Sequence, residues 1–194
     1  MVDKIIVVID RVIRKISKEA YAVRIKQIFP NISCHIGKDL FVLGQQNIRI
    51  KEEITIGDNC VITAWESWGG DNFNPSIIFG SNCNIGCYNH ISAINKIIIG
   101  DNLLTGRWVT ITDHAHGKSS LSENEKAPID RALFSKGPVV IGDNVWIGDK
   151  VTILPNVTIG NNVTIGANSV VTKDIPNNCI AVGNPIRILN KTSK

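Results

Sequence analysis

No stretch of this 194-residue chain approaches eighteen uninterrupted apolar residues, so it offers no membrane-spanning helix. It also lacks a strong charge of either sign. Lys and Arg number 21 against 17 Asp and Glu, and +4 is too small an excess to make nucleic acid the main partner. There is no C-x-x-C pair, and the five cysteines, Cys34, Cys60, Cys83, Cys87 and Cys179, are odd in number. That spacing excludes a zinc ribbon and argues against a disulfide framework, leaving small hydrophobes in a reducing compartment. A short apolar run, Ile5 to Ile9, lies near the start, but Asp10, Arg11, Arg14 and Lys15 follow with no small-residue cleavage site. No signal peptide is read there, and a cytoplasmic location is expected. With 43% hydrophobic and 20% charged residues the chain is globular, and its length suits one well-buried domain.

What the chain has is a repeat. Ile141, Ile147, Ile153, Ile159, Ile165 and Val171 fall every six residues without a gap. Gly142, Gly148, Leu154, Gly160, Gly166 and Thr172 follow them, and Val145, Val151, Val157, Val163, Ser169 and Ile175 hold the fifth places. A period of six would walk apolar residues around a 3.6-residue helix and leave no single wet face. Short strands joined by corners accommodate it. The aliphatic first position points inward, a small neighbour lets the chain turn, and position five packs at the corner. Three hexads then close one triangular coil.

The same frame recurs at residues 56–61, 79–84, 85–90 and 99–104, with a trace beginning at Ile36. The fold expected is all-β: a parallel β-helix of hexapeptide repeats, of about eight coils, over residues 33–182, with a C-terminal tail over 183–194. Residues 1–32 lack the hexad. Ile5, Ile9, Val12, Ile13 and Ile16 fall there at helical spacing, which predicts a short helical cap over the open first coil. Capping is preferred over an alternative in which this basic amphipathic helix lies on a membrane. Loops at 65–76 and 113–138 interrupt the repeat, and a solenoid often carries such insertions on its binding face.

Two stretches carry a resemblance. Gly137-Pro138-Val139-Val140-Ile141-Gly142-Asp143-Asn144-Val145-Trp146-Ile147-Gly148 resembles the signature of hexapeptide-repeat acyltransferases. So does Ile165-Gly166-Ala167-Asn168-Ser169-Val170-Val171-Thr172-Lys173-Asp174-Ile175-Pro176, followed by Ala181-Val182-Gly183-Asn184-Pro185. Within that family the chain looks like the maltose and galactoside O-acetyltransferases and the O-antigen and capsule O-acetyltransferases. The resemblance covers roughly residues 85–190 well. It implies a left-handed β-helix, a homotrimer, acetyl-CoA as donor, and active sites in clefts between neighbouring subunits.

An alcohol is a poor nucleophile at neutral pH, so a base with pKa near 7 must take its proton, and histidine is the usual choice. Of the four histidines, His35 has no partner motif. His90 sits in Tyr88-Asn89-His90-Ile91, and His114 and His116 sit in Asp113-His114-Ala115-His116-Gly117, where the repeat gives way to the long loop. Counted from Ile99-Gly100-Asp101-Asn102, the register of the resemblance puts the catalytic histidine on His116. His114 then orients His116, contacts the acceptor, or does neither. Asp113 orients an imidazole or caps the strand end. The surface-polysaccharide relatives share Tyr-x-His-Ile, which makes His90 a candidate acceptor contact, with Asn89 and Asp113 beside it as further candidates.

Trp146 points outward at position six of its hexad, which is odd for packing, and the resemblance puts it at the thioester end of the active site. The resemblance also carries Asp149, Ala167, Thr172 and Lys173 onto CoA contacts, and Arg187 matches a basic residue after the Gly-x-Pro turn. Asp149 stands where those enzymes have a small residue. Asn190 stands where they have a second arginine, which moves phosphate contacts toward Lys191 or Lys194.

No residue looks like an acyl-enzyme nucleophile, since Cys83 and Cys87 lie in hexads with no base paired to either. The spacing of His90, His114 and His116 does not look like that of the hexapeptide-repeat zinc carbonic anhydrases, and no metal is expected. The expected function is acetyl-CoA-dependent O-acetylation of a sugar hydroxyl in bacterial surface-polysaccharide biosynthesis. N-acetylation of a nucleotide-linked amino sugar is the alternative reaction, and a β-helix scaffold or metal-binding protein the non-enzymatic alternative.

Overall fold

The computed structural model describes residues 19–21, 23, 25–27, 29, 34–118 and 125–189. The chain divides into two compact units, Met1–Ile32 and Ser33–Lys194. In the first, the described positions between 19 and 27 are helical, and the Phe29 N–H donates to the Ile25 carbonyl at 2.9 Å. The apolar spacing at Ile5 to Ile16 that predicts the cap lies outside the described residues.

The second unit is a left-handed parallel β-helix with three sheets as its sides. The first side begins Cys34–Ile36, Ile54–Ile56, Cys83–Ile85, then runs through Leu104–Thr105, Trp146–Ile147 and Thr164–Ile165 to Ile180–Val182. The second stacks Phe41–Leu43, Val61–Ala64, His90–Ala93, Thr110–Thr112, Thr152–Ile153 and Val170–Val171. The third stacks Ile48–Ile50, Ser76–Phe79, Lys96–Ile99, Val139–Ile141 and Val157–Ile159. Arg187–Leu189 folds back antiparallel on Ile180–Val182 and closes the far end.

Among the described residues six strands stack on the second side and seven parallel ones on the first, which makes about six coils and not eight, because the two insertions consume chain without adding coils.

In-register pairing explains the period. Ile56 pairs with Ile85, Ile91 with Ile111, and Ile99 with Ile141, so each aliphatic first position lies on its counterpart in the next coil. All six of these side chains are buried. The small second residue is required because coils approach closely: a Cβ on Gly148 would stand 2.6 Å from the Ala167 amide nitrogen.

The corners carry a second, polar ladder. Asn82, Asn102, Asn144, Asn162 and Asn178 all have left-handed φ. Each side chain donates to the next one's oxygen, at 2.8, 3.0, 3.1 and 2.9 Å. Asparagine tolerates this backbone better than most residues, and stacking satisfies its amide along the edge.

Candidate active site

Both insertions leave the β-helix at the corner between the second and third sides. One follows Val61–Ala64 and the other follows Thr110–Thr112, with the plain corner at Ile94 and Asn95 between them. The first insertion is a hairpin. Ser67–Trp68 pairs antiparallel with Asp71–Asn72 around Gly69 and Gly70, whose φ values are 58° and 91°. A two-residue hairpin turn with both central residues left-handed selects glycine. At its base Glu66 accepts a hydrogen bond from the Asn47 side chain at 2.9 Å. Hydrogen bonds from Gln46 and then Asn47 hold the Glu66 carboxyl below the usual carboxylate range.

The second insertion starts with Asp113, which is fully buried at 0% exposure. Its carboxylate accepts the Ile94 N–H at 3.0 Å and the Asn95 N–H at 2.9 Å. It also lies 3.0 Å from His114 Nδ1. Asp113 therefore orients an imidazole, but that of His114, and being buried it is not an acceptor contact. His114 is only 12% exposed, and its Nδ1 faces both the Asp113 carboxylate and, at 3.3 Å, the Thr112 hydroxyl.

His116 lies two residues further on, in Ala115–His116, which pairs antiparallel with Leu133–Phe134. It is exposed. Its ring stands 5.5 Å from that of Trp68 at 77°, and Trp68 stands 5.5 Å from Trp65 at 89°. The hairpin and the long loop thus meet through Trp68 and His116. Sequence reading registered these tryptophans only as part of a turn-rich insertion. The usable signal was a W-x-x-W-G-G pattern, which pairs a tight turn with two aromatics one hairpin arm apart.

His90 lies on the second side, in register between Val61 and Thr110. Shielding from water, and then the nearby His114 charge, pull its pKa below that of an ordinary histidine. His90 and His114 therefore share one patch. Asn89 does not join them. It is buried, donating to Thr105 Oγ1 at 2.5 Å and the Gly106 carbonyl at 3.1 Å, and accepting the Val109 N–H at 2.6 Å. Its polar atoms are spent on closing a corner, so it has nothing to offer an acceptor.

The candidate donor contacts lie elsewhere on the β-helix. Trp146 is 54% exposed on the first side, in register with Leu104 at 48% exposure. Within one chain it stands on a different sheet from the corner that carries His116. Asp149 gives one carboxylate oxygen to the Arg107 N–H at 2.8 Å, so part of its work is to lock a corner. Ala167, Thr172, Lys173 and Arg187 are all exposed. Tyr88 and Trp108, on the corner between the first and second sides, stack at 5.3 Å and 13°, with Lys150 Nζ 5.7 Å from the Trp108 ring. The sequence reading did not single these out.

Burial raises the Cys60 and Cys83 thiols, away from the thiolate a nucleophile needs. Among the described residues no three His, Cys, Asp or Glu side chains gather as a metal site.

Comparison with known proteins adds the family. The profile described as "Bacterial transferase hexapeptide (six repeats)" matches residues 138–173. WbbJ of Escherichia coli (strain K12), assigned as a lipopolysaccharide biosynthesis O-acetyl transferase, is 38% identical over 148 residues, spanning 74% of each chain. The galactoside O-acetyltransferase of the same strain is 38% identical over 151 residues, which cover 71% of this chain but only 63% of that enzyme. Among solved structures, a maltose O-acetyltransferase from Clostridium difficile 630 superposes with a TM-score of 0.58 at 30% identity, covering 90% of this chain and 77% of the other.

Proposed function

The chain belongs to the bacterial hexapeptide-repeat O-acetyltransferases, and from that premise we propose that it moves an acetyl group from acetyl-CoA to a sugar hydroxyl of a surface polysaccharide. The observation that carries this reading is the exposed His116, held on a short ribbon at the corner where both insertions converge. In the proposed step His116 removes the hydroxyl proton. The oxygen attacks the thioester carbonyl, the tetrahedral adduct collapses, and the departing CoA thiolate takes the proton back from His116. No acyl-enzyme is formed.

The acceptor lies against His90 and His114. The donor lies along Trp146, Ala167, Thr172, Lys173 and Arg187. Because Trp146 and His116 stand on different sides of one chain, they complete a cleft only across a subunit boundary, which supports a homotrimer with shared sites. The adjacent exposed pair Leu104 and Trp146 on the first side, with exposed Ile180 beyond Thr164 on the same ladder, supports the same assembly.

A second reading of the base has its own support. The Asp113–His114 pair has the geometry of an oriented general base, which His116 lacks. It makes His114 the base and His116 an acceptor contact, and comparing the two alanine variants separates the readings.

The donor placement is tested by calorimetry with acetyl-CoA. Lys173→Ala and Arg187→Ala are each expected to weaken binding roughly tenfold or more through lost charge-assisted contacts, with a smaller effect on turnover at saturating donor. Unchanged affinity in both variants would remove these residues from the donor site.

A further inference from the structure

Resting on the acetyl-transfer reading above, the geometry points to Trp68 as the residue that positions the His116 imidazole. The partner that orients a catalytic histidine is commonly a carboxylate, and here the nearest in sequence is committed elsewhere. Asp113 serves two backbone amides and His114. Among the described residues His116 makes no side-chain hydrogen bond, and its ring contact is with Trp68, 5.5 Å away at 77°. Edge-to-face packing of this kind favours one mutual orientation of two rings. The His116 backbone is already set by pairing with Leu133. What remains free is side-chain rotation, and an exposed histidine spreads over several rotamers unless something selects one.

The hairpin is built to hold the indole still. Trp65 backs Trp68 edge-on, and the Trp65 N–H is bonded to the Ala93 carbonyl at 2.8 Å. The Phe73 N–H closes the hairpin on the Glu66 carbonyl at 2.8 Å, and Asn47 pegs Glu66. At the tip a Cβ on Gly69 or Gly70 would meet no atom of the described residues within 4 Å beyond its chain neighbours, so those two glycines serve the turn and not a core.

A positioning role predicts a loss in turnover and not in binding. Trp68→Ala is expected to lower kcat about tenfold or more, with KM for acetyl-CoA and for the sugar changed less than about twofold. Trp68→Phe, which keeps a ring edge or face for His116, is expected to recover most of the rate, whereas Trp68→Leu, which keeps apolar bulk alone, is not. Equal rates for Phe and Leu overturn the proposal, as does a rise in acceptor KM with kcat unchanged, which would make Trp68 a sugar contact.

A second readout needs no activity. In the proton NMR spectrum the His116 ring signals of the wild type should be displaced by the indole ring current and return toward ordinary histidine positions in Trp68→Ala. Identical His116 signals in both proteins overturn the proposal. Failure of the wild type to acetylate any sugar would sink the acetyl-transfer reading while leaving this spectroscopic test in force.

Discussion

His116→Ala is expected to lower the rate of acetyl transfer roughly 100-fold or more, the usual scale for removing a general base. The side chain is exposed and carries no hydrogen bond among the described residues, so the thermal midpoint and the assembled mass should stay those of the wild type. Steady-state kinetics at saturating donor checks the first point, and calorimetry with sizing checks the second. His114→Ala is expected to cost less, since the proposal places His114 with His90 against the acceptor and not at the proton transfer. If His114→Ala costs more, the base is the Asp113-bound imidazole. A His116 variant that turns over at the wild-type rate removes it from the chemistry.

The largest expected stability effect belongs to Asp113→Ala. Asp113 is completely buried, and its carboxylate is the acceptor for the Ile94 and Asn95 amides. Truncation leaves two amides at a shielded corner without that partner. Each such group costs about 1–3 kcal/mol, so unfolding should become easier by roughly 2–6 kcal/mol. Asp113→Asn retains one acceptor oxygen and should lose less. Denaturant titration followed by far-ultraviolet circular dichroism measures both. An alanine variant as stable as the wild type would mean that the corner closes by other bonds.

The parts of this fold that repeat were legible, and the parts that do not were not. Ile141 to Val171 announce the coil because in-register stacking places the same kind of residue at the same place in every turn. The asparagine ladder went unremarked, although Asn82, Asn102, Asn144, Asn162 and Asn178 share one place in the hexad. Asparagine at an exposed position reads as ordinary surface, and only the left-handed φ and the amide-to-amide bonds reveal its work. The coils number fewer than expected because the insertions after Val61–Ala64 and Thr110–Thr112 loop out without climbing the helix.

At the site, histidines beside the long insertion were legible from the chemistry and the register. Which of them Asp113 faces was not, because one residue's difference along the chain decides burial. The burial of Asn89 was not legible either. It sits at the corner just before the strand His90–Ala93, and only its bonds to Thr105, Gly106 and Val109 show that its side chain turns inward. The contact between Trp68 and His116 joins residues 48 positions apart (116 minus 68), in loops separated by a whole coil. No local pattern encodes such a meeting.

Oxygen-directed acetyl transfer from acetyl-CoA to a glycan can be followed by incubating the purified protein with acetyl-CoA and a bacterial surface-polysaccharide fragment and weighing the saccharide by mass spectrometry before and after mild alkali. The expected saccharide gains an acetyl group, loses it in alkali as an ester does, and appears in step with free CoA thiol. An acetyl group that survives alkali as an amide, or thiol release with no acetylated sugar, would contradict oxygen-directed transfer.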